Sequence, residues 1–294
     1  MPKITIVGHI AIDRVIDDQG SRVQLGGPPT YAASTAKLLG LEADAITKAG
    51  EDLPVGFESR LRELGINVCI MKDVETTRFI LDYRGDERRL AVEAVCDKIR
   101  PGEIPSISSD GVLLSPIIDE VPKETASRLL DAETLALDPQ GYLRGIREDG
   151  SIYLRPWFNR EILSAVEIYK STVEELMLIT SLENPLKALE RLNSLGIGEA
   201  VATLGRRGAL LSLDGRAYKI PTYRVKVMDP TGAGDVFLAA YLLERLKGGS
   251  PPWCGACASA AASLVVETYG ANFTASKREL YRRATEVYEG IIKV

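Results

Sequence analysis

Short β-branched and aliphatic runs alternate with helix-length segments along most of this chain, and no other feature limits its fold as strongly. Residues 4–7, 41–50, 111–114, 135–137, 168–169, 176–179, 200–203 and 209–212 read as strands. Residues 30–39, 52–64, 185–195, 235–247, 254–269 and 276–288 read as helices. Crossover helices lie on the faces of the sheet they connect, so this repeat predicts a central, mainly parallel sheet between two helical layers. Ligands of such folds gather beyond the carboxyl ends of the strands. The stretch 174–178 fits either a strand or a short helix.

One segment breaks the alternation. Runs at 68–70, 76–81 and 88–92 look like strands separated by charged turns with no helix between them, and 14–25 resembles a hairpin around Asp17-Asp18-Gln19-Gly20. A small sheet outside the main one is expected there. At 294 residues the chain can form one large α/β domain with such an insertion.

Charge excludes two classes of partner. Lys and Arg total 36 against 41 Asp and Glu, a formal charge of -5, so nothing draws the protein as a whole to nucleic acid or to an anionic membrane. No segment offers the roughly 20-residue apolar run of a membrane span. Met1-Pro2-Lys3 leads directly into Ile4–Val7 without a signal-like segment, and the expectation is a soluble, cytoplasmic protein. Cys254-x-x-Cys257 opens an Ala-rich helix. It fits buried packing, a redox pair or half a zinc site, although no second pair completes four ligands and His9 is the only histidine.

The run Met228-Asp229-Pro230-Thr231-Gly232-Ala233-Gly234-Asp235-Val236-Phe237 carries the chemistry. Glycines beside the first turn of a helix let unpaired amides converge on an anion, and 236–246 is apolar enough to be a largely buried helix behind them. Asp235 then sits at the first turn, beside the anion and able to accept a proton from a hydroxyl. That is what phosphoryl transfer asks of a protein. An ordinary loop-to-helix turn uses the same residue types.

The order Asp13, Gly26-Gly27 and Gly232-Ala233-Gly234-Asp235 resembles the ribokinase-like, or PfkB, carbohydrate kinase family over nearly the whole chain. The resemblance implies a three-layer α/β/α sandwich with a small β lid. Residues 1–13, 26–65 and 100–294 would form the nucleotide-binding core, and 14–25 and 66–99 the lid over the substrate site. It further implies transfer of the γ-phosphoryl group of ATP, with Mg2+, to an alcohol. Asp235 would be the base, and Gly232, Ala233 and Gly234 the anion hole. Asp13, Gly26, Gly27 and Tyr31 would meet the substrate, and Lys170, Thr203, Gly205, Gly208 and Asn272 the nucleotide. Glu175 would hold Mg2+ through water, and Asp229 matches a position that binds a monovalent cation such as K+ in many relatives. Asp138 resembles an Asp-Pro segment near the triphosphate, with Arg144 beside it, and Arg78, Tyr83 and Arg88 are candidates to face the substrate. Monomers and homodimers joined through the lid both fit the resemblance.

Two departures bear on the substrate. Tyr31 stands where many family members have asparagine, and Thr172 replaces the asparagine of a common Asn-x-x-Glu that ends here at Glu175. Tyr31 fits either core packing or an aromatic wall against the face of a cyclic polyol. The variation around Gly26-Gly27-Pro28-Pro29, Asp138-Pro139-Gln140-Gly141 and Lys170 resembles archaeal or plant inositol kinases more than ribokinases, which implies a myo-inositol kinase. A nucleoside kinase, another small-sugar kinase and a noncatalytic ligand sensor are the alternatives.

Overall fold

The computed structural model describes residues 1–64, 67–85 and 89–294. In chain order the strands begin with β1 (Lys3–Val7), β2 (Ala11–Asp17), β3 (Gly20–Gly26), β4 (Glu42–Gly50), β5 (Asn67–Asp73), β6 (Arg78–Asp82), β7 (Arg89–Ala94) and β8 (Gly111–Leu114). They continue with β9 (Leu135–Leu137), β10 (Arg144–Ile146), β11 (Ile152–Leu154), β12 (Ile168–Thr172), β13 (Glu199–Thr203), β14 (Ala209–Leu213), β15 (Arg216–Ile220) and β16 (Ile292–Lys293). Among the described residues the large sheet has the order β16-β15-β14-β13-β12-β9-β8-β1-β4-β5. All neighbours from β13 to β5 are parallel, and β14, β15 and β16 continue the sheet antiparallel.

Burial on both faces follows from the strand sequences. Ile4 and Ile6 of β1, Leu113 of β8 and Ala136 of β9 point into one apolar core, while Val7, Val112, Leu114, Leu135 and Leu137 point into the other. Consecutive apolar residues therefore feed opposite layers, as the period of two in a strand requires. Helices Pro28–Leu39, Ala233–Leu246, Pro251–Val265 and Lys277–Glu289 cover the first face. Arg160–Ala165, Val173–Thr180 and Pro185–Asn193 cover the second. This is the three-layer α/β/α sandwich expected. Cys254 and Cys257 are fully buried free thiols in the first layer, packed with Ala256, Ala258, Ala260 and Ala261.

Two sequence expectations need correction. The strand around 68–70 is not part of the small sheet. It is β5, parallel to β4 with Ile46 opposite Cys69 at the edge of the large sheet, because the helix Val55–Glu63 makes an ordinary crossover between them. The small sheet is β3-β2-β6-β7, and β2 already begins at Ala11, so Asp13 belongs to it rather than to the core. Of the two readings left open for 174–178, strand or short helix, the structure takes the helix. Thr172 Oγ1 accepts the Glu175 N–H at 3.2 Å and Glu175 Oε2 accepts the Thr172 N–H at 2.8 Å, a reciprocal cap that starts the helix Val173–Thr180.

The small sheet lies over one end of the large one. Ala11, Val15, Phe79 and Leu81 on its inner side pack against Ile117 and Ile118, which follow β8. Tyr83 Oη lies 3.0 Å from Thr231 Oγ1, and Tyr269 Oη donates to Gln19 Oε1 at 2.9 Å, so this sheet reaches both the residue before Gly232 and the segment after the helix Pro251–Val265.

Candidate active site

Gly232 caps the helix Ala233–Leu246 with φ 77° and ψ -1°, a left-handed conformation that suits glycine. Space demands glycine as well, since a Cβ here would lie 2.2 Å from the ring of Tyr31. Asp229 Oδ1 accepts the Thr231 N–H at 2.9 Å and fixes the entry to the turn. The Ala233 N–H donates to Pro230 O at 3.3 Å, whereas among the described residues the amides of Gly234 and Asp235 meet no protein acceptor. Open amides at the start of a long, buried helix favour a negative charge.

A cation lies directly beneath this turn. A Cβ on Gly234 would sit 2.7 Å from Lys170 Nζ, and Lys170 is buried in the middle of β12, paired with the carboxylate of Asp138 just after the adjacent strand β9. Burial opposes the lysine charge, but the carboxylates of Asp138, Asp235 and Glu175 outweigh it and leave the pKa raised. Lys170 is therefore an ammonium ion at neutral pH. Asp138 Oδ1 also accepts the Gln140 N–H at 3.2 Å.

Asp235 completes the cluster. Removal from water, aided by Asp138, pushes its carboxyl up to about 6, against the opposing pull of Lys170, Arg144 and a hydrogen bond from Gln140. Gln140 Nε2 donates to Asp235 Oδ1 at 3.1 Å. Arg144 in turn donates to Gln140 Oε1 at 2.7 Å and to Ile117 O at 2.8 Å. One carboxylate oxygen is thus held by an amide whose own orientation is fixed by an arginine.

Gly232, Asp235, Gln140 and Arg144 open on one cleft. Its walls include Asp13, Gly27, Tyr31, Gln140, Arg144 and Asp235, with Phe79, Leu81, Leu90 and Ile117 as apolar surface. Asp13 is 5% exposed and packs so closely on β3 that a Cβ on Gly26 would fall 1.9 Å from Asp13 Oδ2. Gly27, with φ 84°, leaves no room either, as its Cβ would lie 2.3 Å from His9 O. Tyr31 is both core and wall. Its ring is buried against Gly232 while it lines the cleft, and burial reinforced by Asp13, Asp229 and Asp235 raises its phenol well above the ordinary value, so it stays neutral.

The remaining candidates divide. Thr203 ends β13 opposite Thr172, its hydroxyl donating to Ser171 O at 3.2 Å, and Gly205 and Gly208 follow with φ 57° and 94°, the first in open space and the second so close to β15 that a Cβ would lie 2.0 Å from Ile220 O. They lie at and beyond the end of the strand next to the one that carries Lys170. Glu175 is buried, with Oε2 used in the helix cap. Asn272 does not join the arrangement: it is exposed, with its amide spent on Tyr269 O and the Arg60 side chain. Arg144 lines the cleft with Asp235, Arg78 is paired with Asp52, and Arg88 lies outside the described residues. Sequence reading missed Gln140 as the partner of Asp235, and Thr231, Leu81 and Leu90 as cleft residues.

A carboxylate beside open helix amides and a buried lysine, facing a cleft, defines a phosphotransferase that acts on hydroxyl groups. Known proteins agree. Residues 151–278 match the model described as pfkB family carbohydrate kinase. The cytidine kinase of Thermococcus kodakarensis is 27% identical over 84% of this chain and 90% of its own length, and the inositol 3-kinase of Arabidopsis thaliana is 24% identical over 91% and 75%. A solved pyrophosphate-dependent kinase in the ribokinase family, complexed with a pyrophosphate analog and myo-inositol, superposes with a TM-score of 0.84. It is 24% identical, and the match covers 95% of this chain and 99% of that one. The chain is similar to the ribokinase-like, pfkB-type carbohydrate kinases, in fold over nearly its whole length and in the family model over residues 151–278.

Proposed function

We propose that this kinase transfers the terminal phosphoryl group of ATP to a hydroxyl of myo-inositol by direct in-line displacement. The observation that carries this reading is the sharing of one cleft by Asp13 and Asp235, the second beside the open amides of Gly234 and its own residue. Asp13 accepts hydrogen bonds from hydroxyls of the ring and sets its orientation. Asp235 takes the proton of the attacking hydroxyl, while the Gly232–Gly234 turn and Lys170 stabilise charge on the migrating phosphoryl group. Thr203, Gly205 and Gly208 receive the rest of the donor at the strand ends.

Among the described residues no group of three or more His, Cys, Asp or Glu forms a metal cage. That suits Mg2+ arriving with donor phosphates, for which one or two carboxylates suffice, and Glu175 beside Lys170 is the residue to hold it through water. Bound there, the ion would neutralise phosphate charge.

A polyol is favoured over a nucleoside by the distribution of polar groups. Asp13, Gln140, Arg144, Thr231 and Asp235 surround the cleft, as a ring bearing hydroxyls on its whole rim requires, and Tyr31, Leu81 and Leu90 offer apolar surface to its C–H faces. Phe79, whose ring lies 5.8 Å from the Arg144 guanidinium, supports nucleoside phosphorylation as the second reading, because a base can stack on it. A panel crossing ATP and pyrophosphate with myo-inositol, cytidine and ribose tests the assignment. The expected outcome is the highest kcat/KM for ATP with myo-inositol, and efficient cytidine turnover without inositol turnover would reject it.

The di-glycine supplies a narrower test. In Gly26→Ala the new methyl must displace the Asp13 carboxylate, and a shift of about 1 Å is enough to cost on the order of 100-fold in kcat/KM for the acceptor. The KM for the donor should stay near the wild-type value. Equal losses toward both substrates would remove Asp13 from the acceptor site.

A further inference from the structure

We propose that the Arg22 guanidinium is the built-in counter-cation of Asp229, so that this kinase orders its anion turn without a monovalent metal ion. The inference rests on reading 229–235 as the phosphoryl site. Asp229 is the residue to which the family resemblance assigned a K+ ion, and its surroundings do not fit one. Its side chain is 1% exposed, and N–H groups approach both carboxylate oxygens. Thr231 N–H donates to Oδ1 at 2.9 Å, while Gln24 Nε2 and Arg22 Nη2 each lie 3.2 Å from Oδ2. The neighbouring carbonyl of Val266 is also spent, on the amides of Met228 at 2.7 Å and Asp229 at 3.2 Å. An incoming metal ion would face the positive ends of these N–H bonds, and the unpartnered Oε1 of the same Gln24 amide is a single neutral oxygen, too few to replace an ion's hydration shell.

Arg22 is held for this task. It lies on β3, is bonded to Asp17 across the hairpin at 2.5 Å, and stacks on Tyr269 with its guanidinium carbon 4.1 Å from the ring centre. A guanidinium stays charged in such a setting and satisfies a carboxylate and an aromatic face together. Arg22 thus acts as a positioning residue. Through Asp229 and the Thr231 amide it fixes the backbone that leads to Gly232, and it ties the small sheet to that turn.

The test compares KCl, NaCl and tetramethylammonium chloride at equal ionic strength, reading both turnover and the thermal midpoint of the ligand-free enzyme. Wild type should give the same values in all three salts. Arg22→Ala should lose roughly tenfold in turnover and recover much of it in KCl but not in tetramethylammonium chloride, with a matching rise in its midpoint. The inference is overturned if K+ activates or stabilises the wild-type enzyme over tetramethylammonium, an arm that stands even if no variant folds. It is also overturned if Arg22→Ala behaves as wild type in every salt. Failure of the phosphoryl-site reading would show elsewhere, as full turnover in a variant lacking the Asp235 carboxylate.

Discussion

Replacing Asp235 by Asn should lower kcat by about 1,000-fold, within the range expected when a positioned base is lost, while leaving the protein folded. The amide keeps the shape of the carboxylate and its bond from Gln140, but it cannot accept the hydroxyl proton. In the wild-type enzyme the carboxyl is pushed up to about 6, so kcat/KM should fall tenfold per pH unit below that value and level off above it. The residual activity of the Asn variant should lack this acid limb. Stability should move the other way. A carboxyl whose native pKa lies above the unfolded value binds more protons when folded, so its ionisation costs stability between about pH 4 and 6 and the cost persists above. The Asn variant escapes that cost and should gain on the order of 1–3 kcal/mol at pH 7–8 relative to wild type, with little difference at pH 4. Turnover within tenfold of wild type would end the assignment of Asp235 as base.

Much of this site could be read before any coordinates. Gly232, Gly234 and Asp235 stand out through their order behind Asp13 and Gly26-Gly27, since alone they fit an ordinary loop-to-helix turn as well as an anion site. The alternation of short apolar runs with helical segments gave the three layers, since each run feeds both cores. What stayed hidden has physical causes. Lys170 and Asp138 are separated by 32 residues and meet only because β9 and β12 are adjacent, a pairing that strand periodicity cannot supply. Arg22 carries no signal in the sequence beyond its place in a hairpin, because alternation tells which face a side chain takes and not what docks on that face. The helix at Val173–Thr180 was visible as Thr172-x-x-Glu175, yet its apolar residues looked like a strand. β5 was drawn into the small sheet because short strands reveal their neighbours only through the crossovers between them. Asn272 shows the converse, a residue with the right chemistry whose hydrogen bonds are already committed.

Lys170→Met should be the most damaging single substitution for stability around this site, and it carries a second signature in the pH profile. Lys170 and Asp138 are 4% and 1% exposed, so removing the ammonium leaves Asp138 buried with the Gln140 amide as its remaining donor. Breaking a buried pair in this way costs about 3–5 kcal/mol, a large part of the 5–15 kcal/mol that a domain typically possesses. The native pKa of Lys170 lies above 10.5, so the pair contributes fully at neutral pH and is lost only as pH rises through that native value. Asp138→Asn combined with Lys170→Met removes both charges and should recover most of the stability, because the penalty comes from the unpaired carboxylate rather than from the missing lysine. Catalysis should not recover with it. Lys170 holds the Asp235 carboxyl down, so in the single variant the acid limb of kcat/KM moves above pH 6, and activity at pH 7 falls more than activity at pH 9. Loss of positive charge next to the Gly234 amide should cost a further factor of about 100–1,000 in kcat at every pH, in line with removal of one donor to a developing oxyanion. Denaturant midpoints for the single and double variants, with pH–rate profiles for both, separate the two effects. A limb that stays at pH 6 in an equally stable Lys170→Met enzyme would mean that this lysine neither supports Asp138 nor acts on the base.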